Sequence, residues 1–179
     1  IKSSNNYGSS FSESKPQAVT KVFRIIKFVK TLQGWVGCDD GKILKTNDGG
    51  NDWTLLTTAP YYSIGNDMAA ISATKAIIAT NEGTLITTTN GGTSFTTTTL
   101  DNGNSLNAIH FPTASIGYVA GINGKLWKTT NGGTNYSLLT STGTTQDLTE
   151  IYFPSASVGY IVDVFTAIKK TTNGGSSWT

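Results

Sequence analysis

Short apolar runs recur along the whole chain, separated by clusters of Gly, Asn, Ser, Thr and Asp. In the stretch 106–141 the runs fall at about 106–111, 116–122, 124–130 and 135–141. Runs this short, rich in β-branched and aromatic side chains and bounded by turn formers, predict strands. The four runs form a unit, and the unit repeats. Leu106–Tyr118 (LNAIHFPTASIGY) corresponds to Leu148–Tyr160 (LTEIYFPSASVGY), and Gly41–Thr46 (GKILKT) to Gly124–Thr129 (GKLWKT). The Ala-rich stretch 67–80 has the composition of a helix, but the repeat register assigns it the first two strands of a unit.

The turn before each fourth strand marks the register. Thr46–Trp53 (TNDGGNDW), Thr88–Phe95 (TTNGGTSF), Thr129–Tyr136 (TTNGGTNY) and Thr171–Trp178 (TTNGGSSW) align directly, their closing aromatics 42, 41 and 42 residues apart. A decayed fifth copy ends at Phe11, 42 residues before Trp53. Four antiparallel strands (A to D) in about 40 residues predict the blade of a β-propeller. The expected fold is all-β: one propeller domain over 1–179 with about four four-stranded blades. The periods fall at about 1–14 (partial), 21–58, 67–100, 106–141 and 148–179, the last with an incomplete final strand.

Within the turn, the Asp48, Asn90, Asn131 or Asn173 side chain is expected to accept backbone N–H bonds. The glycine pair supplies positive φ. The aromatic (Trp53, Phe95, Tyr136 or Trp178) is expected to pack back onto the blade, stabilising it by roughly 1.5–3 kcal/mol. Asn makes the same acceptor bonds as Asp without the charge. A metal or ligand role for Asp48 and Asp52 is the lesser alternative.

The pattern [S/T]-x-[D/N]-G-G-x-x-[W/F/Y] resembles the Asp-box, or BNR repeat. That family includes sialidases, xyloglucan-type endoglucanases, sortilin-like receptors, photosystem assembly factors of the Ycf48 type and many secreted bacterial proteins. The resemblance covers essentially the whole chain. It implies the propeller fold and leaves activity open, because unrelated functions share the turn.

Composition narrows the chemistry. Charged residues make up 13% of the chain and the net charge is +2, too balanced to predict nucleic-acid binding. The one arginine, Arg24, cannot form the arginine triad that the resemblance to sialidases would require, nor the arginine-rich patch expected of a Ycf48-type factor. Cys38 is the sole cysteine, so no internal disulfide forms. His110 is the sole histidine, and its repeat counterparts are Lys27 and Tyr152. A zinc site therefore lacks ligands, and Cys38 lacks a nearby base. No metal, cofactor or membrane-spanning segment is predicted. Lys45, Lys128 and Lys170 recur on the third strand and read as a solvated edge, with a basic docking stripe as the alternative.

Propeller connectivity places the A–B and C–D turns on one face, the D–A and B–C loops on the other. The first set repeats closely, while the second has diverged. The diverged face is expected to gather Asp39, Asp40, Asp67, Glu82, Asp101 and Asp147, together with the adjacent Tyr61 and Tyr62. Tyrosines beside carboxylates suit sugar stacking or a protein contact. The function expected is a non-catalytic binding or scaffold propeller, secreted or at the cell surface, that contacts a protein or glycan through this face. The alternatives are a fragment of a glycoside hydrolase, which would need two opposed carboxylates drawn from Asp39, Asp40 and Asp67, and an assembly factor of the Ycf48 type. Ile1 aligns with strand C and Thr179 with the start of strand D. The arc is therefore expected to be part of a larger ring, a closed four-blade ring, or half of a ring completed by a second copy.

Overall fold

Seventeen strands and no helix make up the described part of the chain, which the computed structural model gives as residues 2–4, 8–10, 12–13, 22–58, 65–165 and 167–179. β1 (Lys2–Ser3) and β2 (Ser12–Glu13) pair antiparallel at the N-terminus. The first blade contains β3 (Phe23–Lys30), β4 (Gln33–Cys38), β5 (Lys42–Thr46) and β6 (Thr54–Thr58). The second contains β7 (Gly65–Ala70), β8 (Ala76–Thr80), β9 (Thr84–Thr88) and β10 (Thr96–Thr99). The third contains β11 (Leu106–His110), β12 (Gly117–Gly121), β13 (Leu126–Thr129) and β14 (Ser137–Leu139). The fourth contains β15 (Leu148–Tyr152), β16 (Gly159–Asp163) and β17 (Ile168–Thr171). Within each sheet, spatial order equals chain order, so each is an antiparallel meander. The fold is a partial β-propeller of about four blades. The Ala-rich stretch forms β7 and β8, because only an extended chain fits between the neighbouring sheets.

The blades stack face to face. A second strand is therefore covered on both sides, and every residue of β8 and β12 is buried. The outer strand β10 is mostly exposed and consists of four threonines. Three apolar seams hold the stack. Trp35 and Ile43 meet Met68 and Ile86. Ile77 and Leu85 meet Ile109 and Val119. Tyr118 and Leu126 meet Ile151 and Phe153. Each large side chain buried in a seam stabilises the stack by roughly 1.5–3 kcal/mol.

First strands follow one another around the inner edge, where β3, β7, β11 and β15 touch in turn. Side chains tie them together: Asn66 Nδ2 donates to the Leu106 carbonyl (2.9 Å) and Asn107 Nδ2 to the Leu148 carbonyl (2.8 Å).

The Gly-Gly turns repeat one geometry. Thr46 Oγ1 accepts from Gly50 N (2.9 Å) and donates to Asp48 Oδ1 (2.7 Å), which also accepts from Asp52 N (3.0 Å). Thr88, Thr129 and Thr171 do the same with Asn90, Asn131 and Asn173. Each asparagine Oδ1 accepts the N–H four residues on, at 3.0 Å. The glycines lie at φ between 67° and 93°, where a Cβ is strained. Trp53 is buried and its Nε1 donates to the Gly50 carbonyl (3.1 Å); Phe95, Tyr136 and Trp178 pack onto the seams of their own blades.

Candidate binding face

Backbone bonds sort the connections into two faces. The first glycine of each Gly-Gly turn donates to the A–B turn of its own blade: Gly49 to Leu32, Gly91 to Thr74, Gly132 to Ser115 and Gly174 to Ser157, at 2.7–2.9 Å. At the other end, Leu100 N donates to the Gly83 carbonyl, Ile122 N to Ser105 and Val164 N to Asp147. The B–C and D–A loops therefore interlock on a face of their own.

Most acids on this face are held by specific partners. Asp40 Oδ2 lies 3.0 Å from Lys42 Nζ, and its Oδ1 accepts from Lys42 N. Asp101 Oδ2 lies 2.7 Å from Lys125 Nζ, and its Oδ1 accepts from Asn104 Nδ2. In both, partial burial works to raise the pKa, but the lysine bonds outweigh it and the carboxyl titrates below the ordinary carboxylate value. Asp147 Oδ1 accepts from Asn123 N (2.9 Å). Asp39 is held only through its backbone, whose N–H donates to the Val22 carbonyl (3.0 Å); its carboxylate Oδ1 is buried with no hydrogen-bond partner among the described residues.

Asp67 lies away from these loops, within β7. Its Oδ2 accepts from Ile109 N (3.0 Å) and its Oδ1 pairs with Lys27 (3.0 Å), so one carboxylate joins three blades along the inner edge. Tyr61 and Tyr62 lie outside the described residues, as does Phe11.

Glu82 is the acid that lines an open cleft. With Thr84, Thr97, Thr99, Asn102 and Gly103 it bounds a space of about 320 Å³ on the second blade, at its B–C and D–A loops. No described group bonds the Glu82 carboxylate. The threonines had given no functional signal in the sequence, because β-rich chains carry threonine in strands generally. Their convergence depends on the pairing of β9 with β10, which sets Thr99 opposite Thr84.

The remaining candidates are structural in their contacts. His110 is half-buried; its Nε2 donates to the Phe153 carbonyl (3.0 Å) and its ring meets Tyr152 edge-on. Burial lowers its pKa. Cys38 is buried with Val36, Leu44 and Trp53, and burial, reinforced by Asp40 and Asp39, pushes its thiol up to about 11. Lys45, Lys128 and Lys170 each lie over the aromatic ring of the neighbouring B strand, Trp35, Tyr118 and Tyr160, at 4.9, 5.4 and 6.0 Å. Among the described residues no three His, Cys, Asp or Glu side chains come together to hold a metal ion. Among the described residues no helix is long and apolar enough to cross a membrane.

No protein-family model matches the chain, and no curated protein matches it. Solved structures do. An ancestral GH74 enzyme superposes with a TM-score of 0.74 at 18% identity, over 92% of this chain and 24% of its own. Ycf48 from Cyanidioschyzon merolae superposes with a TM-score of 0.68 at 14% identity, over 83% of this chain and 50% of its own. The computationally designed Ika4 protein superposes with a TM-score of 0.66 at 17% identity, over 89% of this chain and 96% of its own. At these identities the likeness is one of fold. The chain spans half or less of the GH74 and Ycf48 structures it resembles.

Proposed function

We propose that the chain is a non-catalytic binding propeller of the Asp-box type, secreted or displayed at a cell surface, that holds a glycan on its B–C and D–A loop face. The observation that carries this reading is the cleft bounded by Glu82, Thr84, Thr97, Thr99 and Asn102. Threonine hydroxyls donate and accept, the asparagine amide does both, and the carboxylate accepts. That donor set suits a ligand dense in hydroxyl groups. The three threonines lie on paired strands, which fix their backbone before binding.

Three of the acids are poorly placed for hydrolysis. A glycosidase needs one carboxyl with a raised pKa to act as general acid. Asp40 and Asp101 are pushed the other way by their lysines, and Asp67 is committed to Lys27 and the Ile109 amide. The GH74 and Ycf48 likenesses support the scaffold and do not extend to an activity or a partner.

The test is a titration of the ¹⁵N-labelled chain with soluble oligosaccharides (cellohexaose, a xyloglucan heptasaccharide, sialyllactose). At least one is expected to shift the amide resonances of Thr84, Thr97 and Thr99. Glu82→Ala and Thr99→Val should each weaken that binding about five-fold or more, the scale of a lost hydrogen bond. Shifts confined to other surfaces, or none, would remove the glycan reading. Release of reducing sugar from the oligosaccharide would overturn the non-catalytic one.

A further inference from the structure

Blade two lacks two large side chains that the other blades carry at the inner edge. The threonines that open the Gly-Gly turns fix the register across the strands of each blade. Counted from them, one pair of positions on the first strand reads Lys27–Phe28, Ala69–Ala70, His110–Phe111 and Tyr152–Phe153. Across from the second position, the next strand carries Gly34, Gly117 and Gly159 in blades one, three and four, but Ala76 in blade two. The exchange is reciprocal. A Cβ on Gly34, Gly117 or Gly159 would run into the ring of Phe28, Phe111 or Phe153, so each ring requires a glycine beside it. Ala70 has no ring and tolerates the methyl group of Ala76.

A cavity of about 170 Å³ is bounded by the two alanines. Lys27 and Phe28 contribute to its wall from blade one, and His110 and Phe111 from blade three. It crosses three consecutive first strands near the A–B turns, away from the cleft at Glu82. Its size decides the class of guest. A cavity of about 150 Å³ holds one benzene ring, so this one suits a single six-membered ring with a small substituent.

The polar groups decide the substituent. Lys27 Nζ pairs with Asp67 (3.0 Å) and keeps further N–H donors. His110 donates through Nε2 to the Phe153 carbonyl (3.0 Å), which leaves the lone pair on Nδ1 as an acceptor. Burial lowers the His110 pKa and nearby Lys27 adds to this, so the ring is neutral at neutral pH. A hydroxyl can donate to that nitrogen and accept from the ammonium group at once. A carboxylate has no proton for Nδ1, and a cationic group is repelled by Lys27.

We propose that this cavity binds one phenol ring, seated over Ala69 and Ala70 with its hydroxyl between Lys27 and His110. The guest ring takes the place of the aromatic side chain that blade two lacks.

Titration of the ¹⁵N-labelled 179-residue chain with p-cresol, followed through the amides of Ala69, Ala70 and Ile109, tests this. A ligand of this size binds in the millimolar range. p-Cresol is expected to bind about five-fold tighter than toluene or more, the scale of one hydrogen bond. His110→Phe should abolish that preference while toluene still binds. Ala69→Tyr, which places the blade-four residue in the cavity, should abolish binding of both, with circular dichroism showing that the sheets persist. N-acetyltyrosinamide shifting the same amides would assign the site to a tyrosine side chain of a partner; p-cresol binding without it would assign the site to a free phenol. Equal affinity for p-cresol and toluene would overturn the proposal. So would p-cresol binding that is undiminished in a folded Ala69→Tyr chain, or the lack of any shift at these amides in the native one.

Discussion

The rings of Tyr118 and Phe153 stack across the boundary between the third and fourth blades, with centroids 3.6 Å apart and planes 7° from parallel. Both are fully buried, and Phe153 also meets Trp178 edge-on. Phe153→Ala leaves a cavity between two sheets and should cost roughly 3–5 kcal/mol. Phe165→Ala, at an exposed loop position, should stay within about 0.5 kcal/mol. Urea unfolding midpoints of the two variants check this pair.

Two glycines at nearly the same φ should respond differently to alanine. A Cβ on Gly83 (φ 78°) would overlap the Asp101 carbonyl oxygen, whereas one on Gly103 (φ 76°) meets nothing within 4 Å. Gly103→Ala bears only the left-handed penalty, about 1–2 kcal/mol. Gly83→Ala must in addition separate the B–C and D–A loops, so its loss in thermal stability should be clearly larger. It should also alter the cleft beside Glu82.

The Gly-Gly turn predicts another contrast. Thr129 Oγ1 satisfies the Gly133 N–H at 2.8 Å, and the residue is buried. Thr129→Val strands that donor and should cost about 1–3 kcal/mol. Asn131→Asp keeps the acceptor oxygen, as Asp48 does in the first blade, and should change stability by no more than about 0.5 kcal/mol. Differential scanning calorimetry resolves the two.

Acid should remove the Asp101–Lys125 contribution. The folded pKa of Asp101 lies below its unfolded value, so the pair stabilises fully above the unfolded value and is lost as pH falls through the folded one. The effect should be at most about 1 kcal/mol, because both side chains are partly solvated and salt screens them. Asp101→Asn should abolish this component of the stability difference between about pH 5 and pH 2, the window set by carboxylate titration.

Cys38 should be inert in the native state. Its thiol is buried and its pKa is raised to about 11, so little thiolate forms at pH 8. Ellman's reagent should label it only after denaturant is added; rapid labelling of the native chain would contradict the burial.

The amino-acid sequence by itself determined the blade and its turns. Thr129, Asn131 and Gly133 bond to one another within four residues, so the chemistry that shapes the turn is written locally. Strand periodicity followed from short apolar runs in the same way, and a period of about 40 residues left little room for any architecture but stacked four-stranded sheets. What only the tertiary structure decided depends on strand pairing within a blade or on partners in the next one. Asp67 reads as a loop acid until Ile109, 42 residues on, and Lys27 close on it. Lys128 reads as a solvated edge until Tyr118 and the Gly174 carbonyl appear beneath it. Glu82 becomes part of a cleft through threonines on two paired strands. A local hydrogen bond needs only the neighbouring residues to be specified, whereas the Asp67 and Lys128 contacts with other blades need the stacking of whole sheets, and the Glu82 cleft needs the register of two paired strands.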